Sequence, residues 1–299
     1  MEVLLLIESV KVLSSVFVGA SLLTLGGPVM GEMVATMAPI FTKRETEVIN
    51  KLGVDFEEVE FPTTDGLLLR GWFFPAKSKE APAILYAPAT ARDQRSGVSL
   101  VTPLHEAGYH VLLFSYRGHG SSDGNRFGFT YGAAESKDVD AAVSYLFETK
   151  GIRHIGAIGH SAGASSIIMS AARNPRIGAV VAASPFSSVE EIWATNRPKY
   201  FPKPLFELTM KFSERRKGFS RHEVRPKDVI SLIAPRPLLL VHGSQDKRIT
   251  QEQALLLFQA AEKPKKMWVI EGASHSGVRT PVLDELAQHI IKFFEMAFK

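Results

Sequence analysis

Short apolar runs separated by amphipathic stretches make up most of the chain beyond residue 54. The first two runs, at 56–61 and 67–74, flank the turn residues Thr63-Thr64-Asp65-Gly66 and therefore predict an antiparallel hairpin. Six further runs follow at 83–87, 111–116, 155–158, 179–183, 238–241 and 267–270. Helical periodicity fills most of the intervals, as at 98–107, 133–148, 251–262 and 282–298. This alternation predicts an α/β fold with a mostly parallel, eight-stranded sheet and helices on both faces.

One interval, at residues 186–232, breaks this alternation. It contains several prolines and scattered large apolar side chains but no strand pattern, so it predicts a small helical cap inserted into the α/β domain. Six basic residues cluster in it: Lys211, Arg215, Arg216, Lys217, Arg221 and Arg225. Two interpretations are open, a solvated basic face or a surface that attracts anionic lipid headgroups or an anionic substrate.

The first fifty residues have a different pattern. No charged residue occurs from Val12 to Gly31, a length that spans about 30 Å as a helix and would cross the hydrocarbon core of a bilayer. Gly26-Gly27-Pro28 interrupts this run, and an amphipathic pattern follows it. We therefore expect residues 1–50 to form an N-terminal hydrophobic anchor and linker helix, with residues 1–41 spanning or lying on a membrane. A cleaved signal peptide and a packing helix of a soluble protein are the alternatives.

The remaining residues, 51–299, are enough for one domain with a large core. Basic residues just after the hydrophobic segment favour the cytoplasmic side for this domain. The net charge of +4 is modest, and no nucleic-acid-binding motif is present, so we expect no nucleic-acid partner. The chain has no cysteine, which excludes disulfides and a thiol nucleophile. Histidine spacing indicates no metal site, and no glycine-rich nucleotide fingerprint follows a strand, so no cofactor is predicted.

The run at 155–158 leads into Gly159-His160-Ser161-Ala162-Gly163, a G-x-S-x-G pattern between a predicted strand and a predicted helix. A serine hydroxyl is a weak nucleophile, so it must be held clear of the backbone and close to a base. A sharp turn between strand and helix provides this placement, and side chains on either flanking glycine would collide with neighbouring backbone. Ser161 is therefore the candidate nucleophile.

Two later residues could complete a catalytic triad with it. Asp246 and His275 each follow an apolar run directly, and they occur in the chain order serine, acid, histidine. We expect His275 to accept the hydroxyl proton and Asp246 to orient the imidazole. Asp228 and Asp284 are weaker candidates for the acid, because the first precedes a strand and the second lies within a predicted helix.

An acyl-transfer site also needs hydrogen-bond donors for the oxyanion of the tetrahedral intermediate. The usual donors are the backbone N–H after the nucleophile and an N–H from the loop after the third strand. These positions correspond to Ala162 and Thr90, with Ala91 as the alternative in the loop.

With these motifs, the chain resembles the α/β-hydrolase superfamily from about Val54 to the C-terminus, nearest its serine-aminopeptidase-like and membrane-anchored esterase branches. Arg117-Gly118-His119-Gly120-Ser121-Ser122 resembles the R-G-x-G-x-S turn after the fourth strand, which implies a structural role for His119. Residues 66–75 resemble the G-x-x-L-x-G-W hairpin. The chain departs from the family at Pro88-Ala89, where His-Gly commonly precedes the oxyanion donor.

These features together predict a lipase-like serine hydrolase that cleaves carboxylic esters or thioesters with an apolar acyl group through an acyl-enzyme. Its substrate would be a small-molecule acyl ester or a lipid. A serine aminopeptidase or amidase using the same site is one alternative. A membrane-tethered binding protein without activity is another, since Pro88-Ala89 restricts the loop that would supply an oxyanion donor.

Overall fold

The structure is a computed structural model that describes residues 49–199, 201–276 and 283–299. The hydrophobic segment at residues 1–41, expected to associate with a membrane, lies outside the described residues. In the described part of the chain, no helix combines the length and apolar character needed to cross a bilayer.

Eight strands form one sheet in the order β1-β2-β4-β3-β5-β6-β7-β8. Their bounds are β1 Glu57–Pro62, β2 Leu68–Phe74, β3 Ala83–Ala87, β4 His110–Phe114, β5 Ile155–His160, β6 Ile177–Ala183, β7 Leu238–Gly243 and β8 Lys265–Ile270. β2 pairs antiparallel with β1 and with β4, and every other neighbouring pair is parallel. The predicted hairpin and mostly parallel sheet are confirmed.

Eight α-helices are described. They are α1 Val101–Glu106, α2 Glu135–Ser144, α3 Ala162–Arg173, α4 Val189–Asn196, α5 Lys203–Lys217, α6 Pro226–Val229, α7 Gln251–Ala260 and α8 Leu283–Ala297. The stretch at 98–107, predicted as one helix, is divided between a 3₁₀ segment, Gln94–Leu100, and α1. The carboxylate of Asp93 accepts from the N–H of Arg95, so the first turn of the 3₁₀ segment is capped by a side chain.

Apolar side chains leave the sheet in both directions, because successive residues of a strand point to opposite faces. Leu85 and Leu112 belong to the core that includes residues of α2 and α3. Ile84 and Leu113, their neighbours in the same strands, belong to the core that includes residues of α1 and α8. The helices thus cover both faces of the sheet.

Helices α4, α5 and α6 lie in the interval predicted to be a cap, and none of its described residues is in a strand. Trp193 of α4 packs edge-on against Phe219, with ring centroids 6.2 Å apart. The guanidinium of Arg221 lies 5.1 Å from the Trp193 ring and pairs with Glu207 and Glu214 of α5. The inner part of the cap is therefore held by aromatic packing and ion pairs together.

Candidate active site

Ser161 lies in the single-residue turn between β5 and α3. Its φ of 57° and ψ of −123° fall in a region that side chains rarely adopt, at a cost of about 1–3 kcal/mol. The Ser161 N–H donates to the carbonyl of Ala183 at 2.8 Å, which fixes the turn to the neighbouring strand β6. The strain and the anchoring bond together present the hydroxyl at the carboxyl edge of the sheet.

The two glycines that flank this turn are required by close backbone contacts. A Cβ at Gly159 would lie 2.6 Å from the backbone nitrogen of Ala164, and a Cβ at Gly163 would lie 2.3 Å from the carbonyl oxygen of Ala87. Backbone atoms cannot move aside as a flexible side chain could. Any other residue at these positions would push α3 away from β5 or β3.

The structure brings the three predicted side chains into contact. The imidazole Nε2 of His275 lies 3.1 Å from the hydroxyl of Ser161, and its Nδ1 lies 2.7 Å from a carboxylate oxygen of Asp246. Ser161 and Asp246 are buried, and the side chain of His275 is only 12% exposed. The spacing allows proton transfer from the hydroxyl to an imidazole that the carboxylate orients.

The second carboxylate oxygen of Asp246 accepts hydrogen bonds from the backbone N–H groups of Arg248 and Ile249, both at 2.9 Å. Burial disfavours the charged carboxylate, but the hydrogen bonds from His275 and these two N–H groups outweigh it and hold the pKa of Asp246 below its usual value. Asp246 is therefore ionised at neutral pH, and its carboxylate is placed where it can stabilise a positive charge on the imidazole.

The other two acids considered from the sequence have different surroundings. Asp228 pairs with Arg225 on the surface of the cap. Asp284 lies in the first turn of α8, as expected from the helical pattern. Asp246 is the acid that contacts His275.

Backbone hydrogen bonds connect the carboxyl ends of the last four strands. The N–H of Ser184, just after β6, donates to Val241 of β7, and the N–H of Ser244, just after β7, donates to Ile270 of β8. The next N–H along, that of Gln245, donates to Ala273 in the loop that leads to His275. With the bond from Ser161 to β6, these contacts form a strand-end ladder that links all three predicted site residues.

Two further histidines, His160 and His242, support the site in ways the sequence did not reveal. The Nε2 of His160 lies 3.0 Å from the carbonyl oxygen of His275, and the two rings are 5.0 Å apart between centroids. The Nε2 of His242 lies 3.1 Å from the carbonyl oxygen of Ile249. As donors, the first fixes the backbone of the base, and the second fixes the loop that holds Asp246. In the sequence, the position of His160 directly before Ser161 was the one feature that could have indicated its role at the site.

The positions predicted as oxyanion donors also lie at this edge. Ala162 is the first residue of α3, and the N–H groups at the start of an α-helix have no acceptor within the helix. Thr90 and Ala91 occupy the middle of a turn closed by a 3.1 Å hydrogen bond from the N–H of Arg92 to the carbonyl of Ala89. Ala91 has a φ of 53°, so this residue supplies the left-handed conformation in the loop.

The described residues contain no group of three or more histidines, cysteines or carboxylates placed to hold a metal ion. The side chains that the structure gathers at this edge are instead a hydroxyl, an imidazole and a carboxylate in one hydrogen-bonded row.

Comparison with known proteins gives matches to most of the chain. The protein YfhR of Escherichia coli K12 is 28% identical over 227 residues, which are 73% of each chain. The protein Rv2307c of Mycobacterium tuberculosis H37Rv is 31% identical over 222 residues, which are 73% of this chain and 72% of its own. Among solved structures, the esterase Pf2001 of Pyrococcus furiosus superposes with a TM-score of 0.71 at 24% identity, covering 88% of this chain and 98% of that one.

The model of one family, described as the prolyl oligopeptidase family, matches residues 96–299. This range contains all three side chains of the hydrogen-bonded row and five of the eight strands, β4 to β8, together with the cap and the helices around them. Fold, sequence relatives and family model agree, and the chain belongs to the prolyl oligopeptidase family of α/β-hydrolases.

Proposed function

We propose that this protein is a serine hydrolase that cleaves carboxylic esters or thioesters with an apolar acyl group through an acyl-enzyme. The observation that carries the proposal is the continuous row of hydrogen bonds from Ser161 through His275 to Asp246, at 3.1 and 2.7 Å. A hydroxyl, an imidazole and a buried carboxylate in this order make up the arrangement that converts serine into a nucleophile.

In the proposed reaction, the Ser161 oxygen attacks the acyl carbon while His275 takes the hydroxyl proton. Asp246 keeps the imidazole in the tautomer that can accept at Nε2 and stabilises the imidazolium that forms. The N–H groups of Ala162 and Thr90 donate to the oxyanion of the tetrahedral intermediate. Collapse of this intermediate breaks the bond to the leaving group, which receives the proton from His275. Water then attacks the acyl-enzyme while His275 takes its proton. Collapse of the second tetrahedral intermediate releases the acid, and His275 returns the proton to the Ser161 oxygen.

The preference for esters rests on the surroundings of the site. The cap beside the site is rich in aromatic side chains, which suits an apolar acyl chain. Helix α4 of the cap is tied to the acid's loop, because the amide of Asn196 donates to the carbonyl of Arg248 at 3.0 Å. The name of Pf2001, an esterase with the same fold, is consistent with this preference.

Cleavage of peptides or amides is the second candidate, and the family match favours it. The same three side chains would act, since a triad does not itself select the leaving group. Comparing kcat/KM for p-nitrophenyl acyl esters and aminoacyl p-nitroanilides separates the two functions. A value at least tenfold higher for the anilides would move the assignment to the peptidase.

The first test is replacement of the candidate nucleophile. Ser161→Ala should lower kcat for p-nitrophenyl butyrate by about 10⁴-fold or more, because the remaining groups cannot form the acyl-enzyme. Ser184→Ala is the matched control, since Ser184 is also buried, follows the next strand and has a positive φ of 47°. It should retain activity within a few-fold. Undiminished hydrolysis by Ser161→Ala would refute the assignment.

Labelling with a fluorophosphonate tests the alternative of an inactive binding protein. The wild-type protein should incorporate one label per chain at Ser161, and Ser161→Ala should incorporate none. Complete inertness of the folded wild-type protein would favour the binding role that Pro88-Ala89 suggested from the sequence.

A further inference from the structure

The outer face of α5 exposes two large apolar side chains. Leu208 and Phe212 have exposed fractions of 52% and 53%, among the highest of the large hydrophobic residues in the described part of the chain. They lie four residues apart and therefore one above the other on the helix. The buried residues of α5, Thr209, Met210 and Ser213, are on the opposite side. The exposed pair therefore forms a stripe that the fold itself does not cover.

Acidic and basic residues of α5 lie on different sides of the helix. The acids Glu207 and Glu214 turn towards the body of the cap and pair with Arg221 at 2.7 and 2.8 Å. Lys211 and Arg215 are exposed, and neither forms an ion pair with any residue that the structure describes. They follow Leu208 at positions i+3 and i+7, so they flank the apolar stripe. The outward face of α5 is thus apolar and basic, with its acids neutralised elsewhere.

This distribution of charge indicates which kind of surface can dock on the outer face of α5. An apolar surface of another protein would bury Lys211 and Arg215 without partners for their charges, which is costly. An anionic bilayer instead offers phosphate groups for the two cations and an acyl region for Leu208 and Phe212 at the same depth. The basic residues also repel a second copy of the same face.

We infer that the outer face of α5, formed by Leu208, Lys211, Phe212 and Arg215, docks on the surface of an anionic lipid bilayer. The cap would then rest against the membrane on the side of the sheet where the candidate active site lies, since α4 contacts the loop of Asp246. This docking does not depend on hydrolytic activity, nor on the structure of the N-terminal segment.

A local probe on the full-length protein tests this surface separately from any other membrane contact. The chain has no cysteine, so Phe212→Cys can be labelled with the environment-sensitive fluorophore NBD at one site. Vesicles of phosphatidylcholine with 30% phosphatidylglycerol should shift its emission to the blue and raise its intensity. Vesicles of phosphatidylcholine alone should have a much smaller effect, and added salt should weaken the response.

Met296→Cys provides the matched control. Met296 is 57% exposed and lines one surface pocket with Lys263 and Lys265, near the amino ends of β7 and β8, so it is also an apolar side chain among lysines. The amino ends of these parallel strands lie at the opposite edge of the sheet from the cap, so an NBD label there should not respond to the vesicles when α5 docks. Adding Lys211→Gln and Arg215→Gln to the labelled Phe212→Cys protein should raise the lipid concentration for half-maximal response by about 20-fold.

Three results would overturn the inference. The first is an unchanged signal from position 212 while the protein sediments with anionic vesicles, because another part of the chain would then hold the membrane. The second is an equal response at position 296. The third is a response at position 212 to protein concentration or to polyglutamate but not to lipid, which would indicate a second copy or an acidic protein as the occupant.

Discussion

The turn at Ser161 and the cap lie at the same edge of the sheet, but different interactions hold them. Around Ser161, backbone atoms approach so closely that glycine is the only residue that fits at positions 159 and 163. In the cap, Arg221 joins two acids of α5 and the Trp193 ring, and the contacts are between side chains. The turn should therefore respond to added volume, whereas the cap should respond to a change in charge.

The largest expected effect comes from the acid at the site itself. Asp246→Asn keeps the size of the side chain but removes the charge that orients and stabilises the imidazole, so kcat should fall by about 10⁴-fold. Asp228→Asn, in the cap, should leave kcat within twofold, since Asp228 pairs with Arg225 on the surface. Steady-state kinetics on a p-nitrophenyl ester measures both. Similar losses in the two variants would contradict the assignment of Asp246.

A methyl group tests the dependence of the turn on volume. Gly163→Ala should lower kcat by about 10²-fold and the free energy of unfolding by about 3 kcal/mol, since its Cβ would lie 2.3 Å from the Ala87 carbonyl oxygen. Gly178→Ala in β6 is the control, because its nearest neighbour would be 3.4 Å away. Denaturant unfolding and kinetics should find the control close to wild type. A stable, active Gly163→Ala protein would show that the turn has free space.

Removal of one cation tests the dependence of the cap on charge. Arg221→Leu leaves Glu207 and Glu214 without their partner, and the free energy of unfolding should fall by about 2 kcal/mol. Arg215→Leu on the same helix should change it by less than about 0.5 kcal/mol, because Arg215 is exposed. Urea unfolding followed by circular dichroism measures the difference. Equal losses would mean that the ion pairs add little to the cap.

The smallest effect expected is a dependence on pH. Burial raises the pKa of Glu214, but hydrogen bonds and charge from Arg221 outweigh burial and hold this pKa below its usual value. Its contribution to stability is therefore complete above the unfolded pKa of about 4.3 and is lost as pH falls through the lower folded pKa.

The stability difference between wild type and Glu214→Gln should accordingly be constant from about pH 7 to 5 and shrink below about pH 4. The cost of Gly163→Ala should not vary over the same range, since it comes from volume. Urea unfolding at each pH measures both differences. A constant difference for Glu214→Gln down to pH 3 would contradict the role of its charge.

The sheet and the meeting of three side chains can be predicted from the sequence for a simple reason. Parallel strands end at a common edge, so residues directly after the runs at 155–158, 238–241 and 267–270 must lie near one another. Ser161, Asp246 and His275 occupy these positions, and their order along the chain narrows the choice further. Neither step requires knowledge of any loop conformation.

The contacts of His160 and His242 could not be predicted in this way. The imidazole of His160 contacts the carbonyl oxygen of His275, which is 115 residues away, and that of His242 contacts the carbonyl oxygen of Ile249, seven residues away. In both cases the path of a loop decides which carbonyl comes close to the ring. The basic cluster of the cap illustrates the same limit. Its sequence suggested one charged surface, but Arg221 and Arg225 pair with acids that the fold of the cap brings to them. Lys211 and Arg215 stay on the outside.

The strand-end ladder has a consequence for how heat would inactivate the protein. Because the loops after β5, β6 and β7 each donate a backbone hydrogen bond to the following strand, none of them can melt without disturbing the next. The geometry around Ser161 should then persist until the sheet itself unfolds. On heating, activity and the fold should be lost together in one cooperative transition. No folded but inactive intermediate is expected at temperatures below this transition.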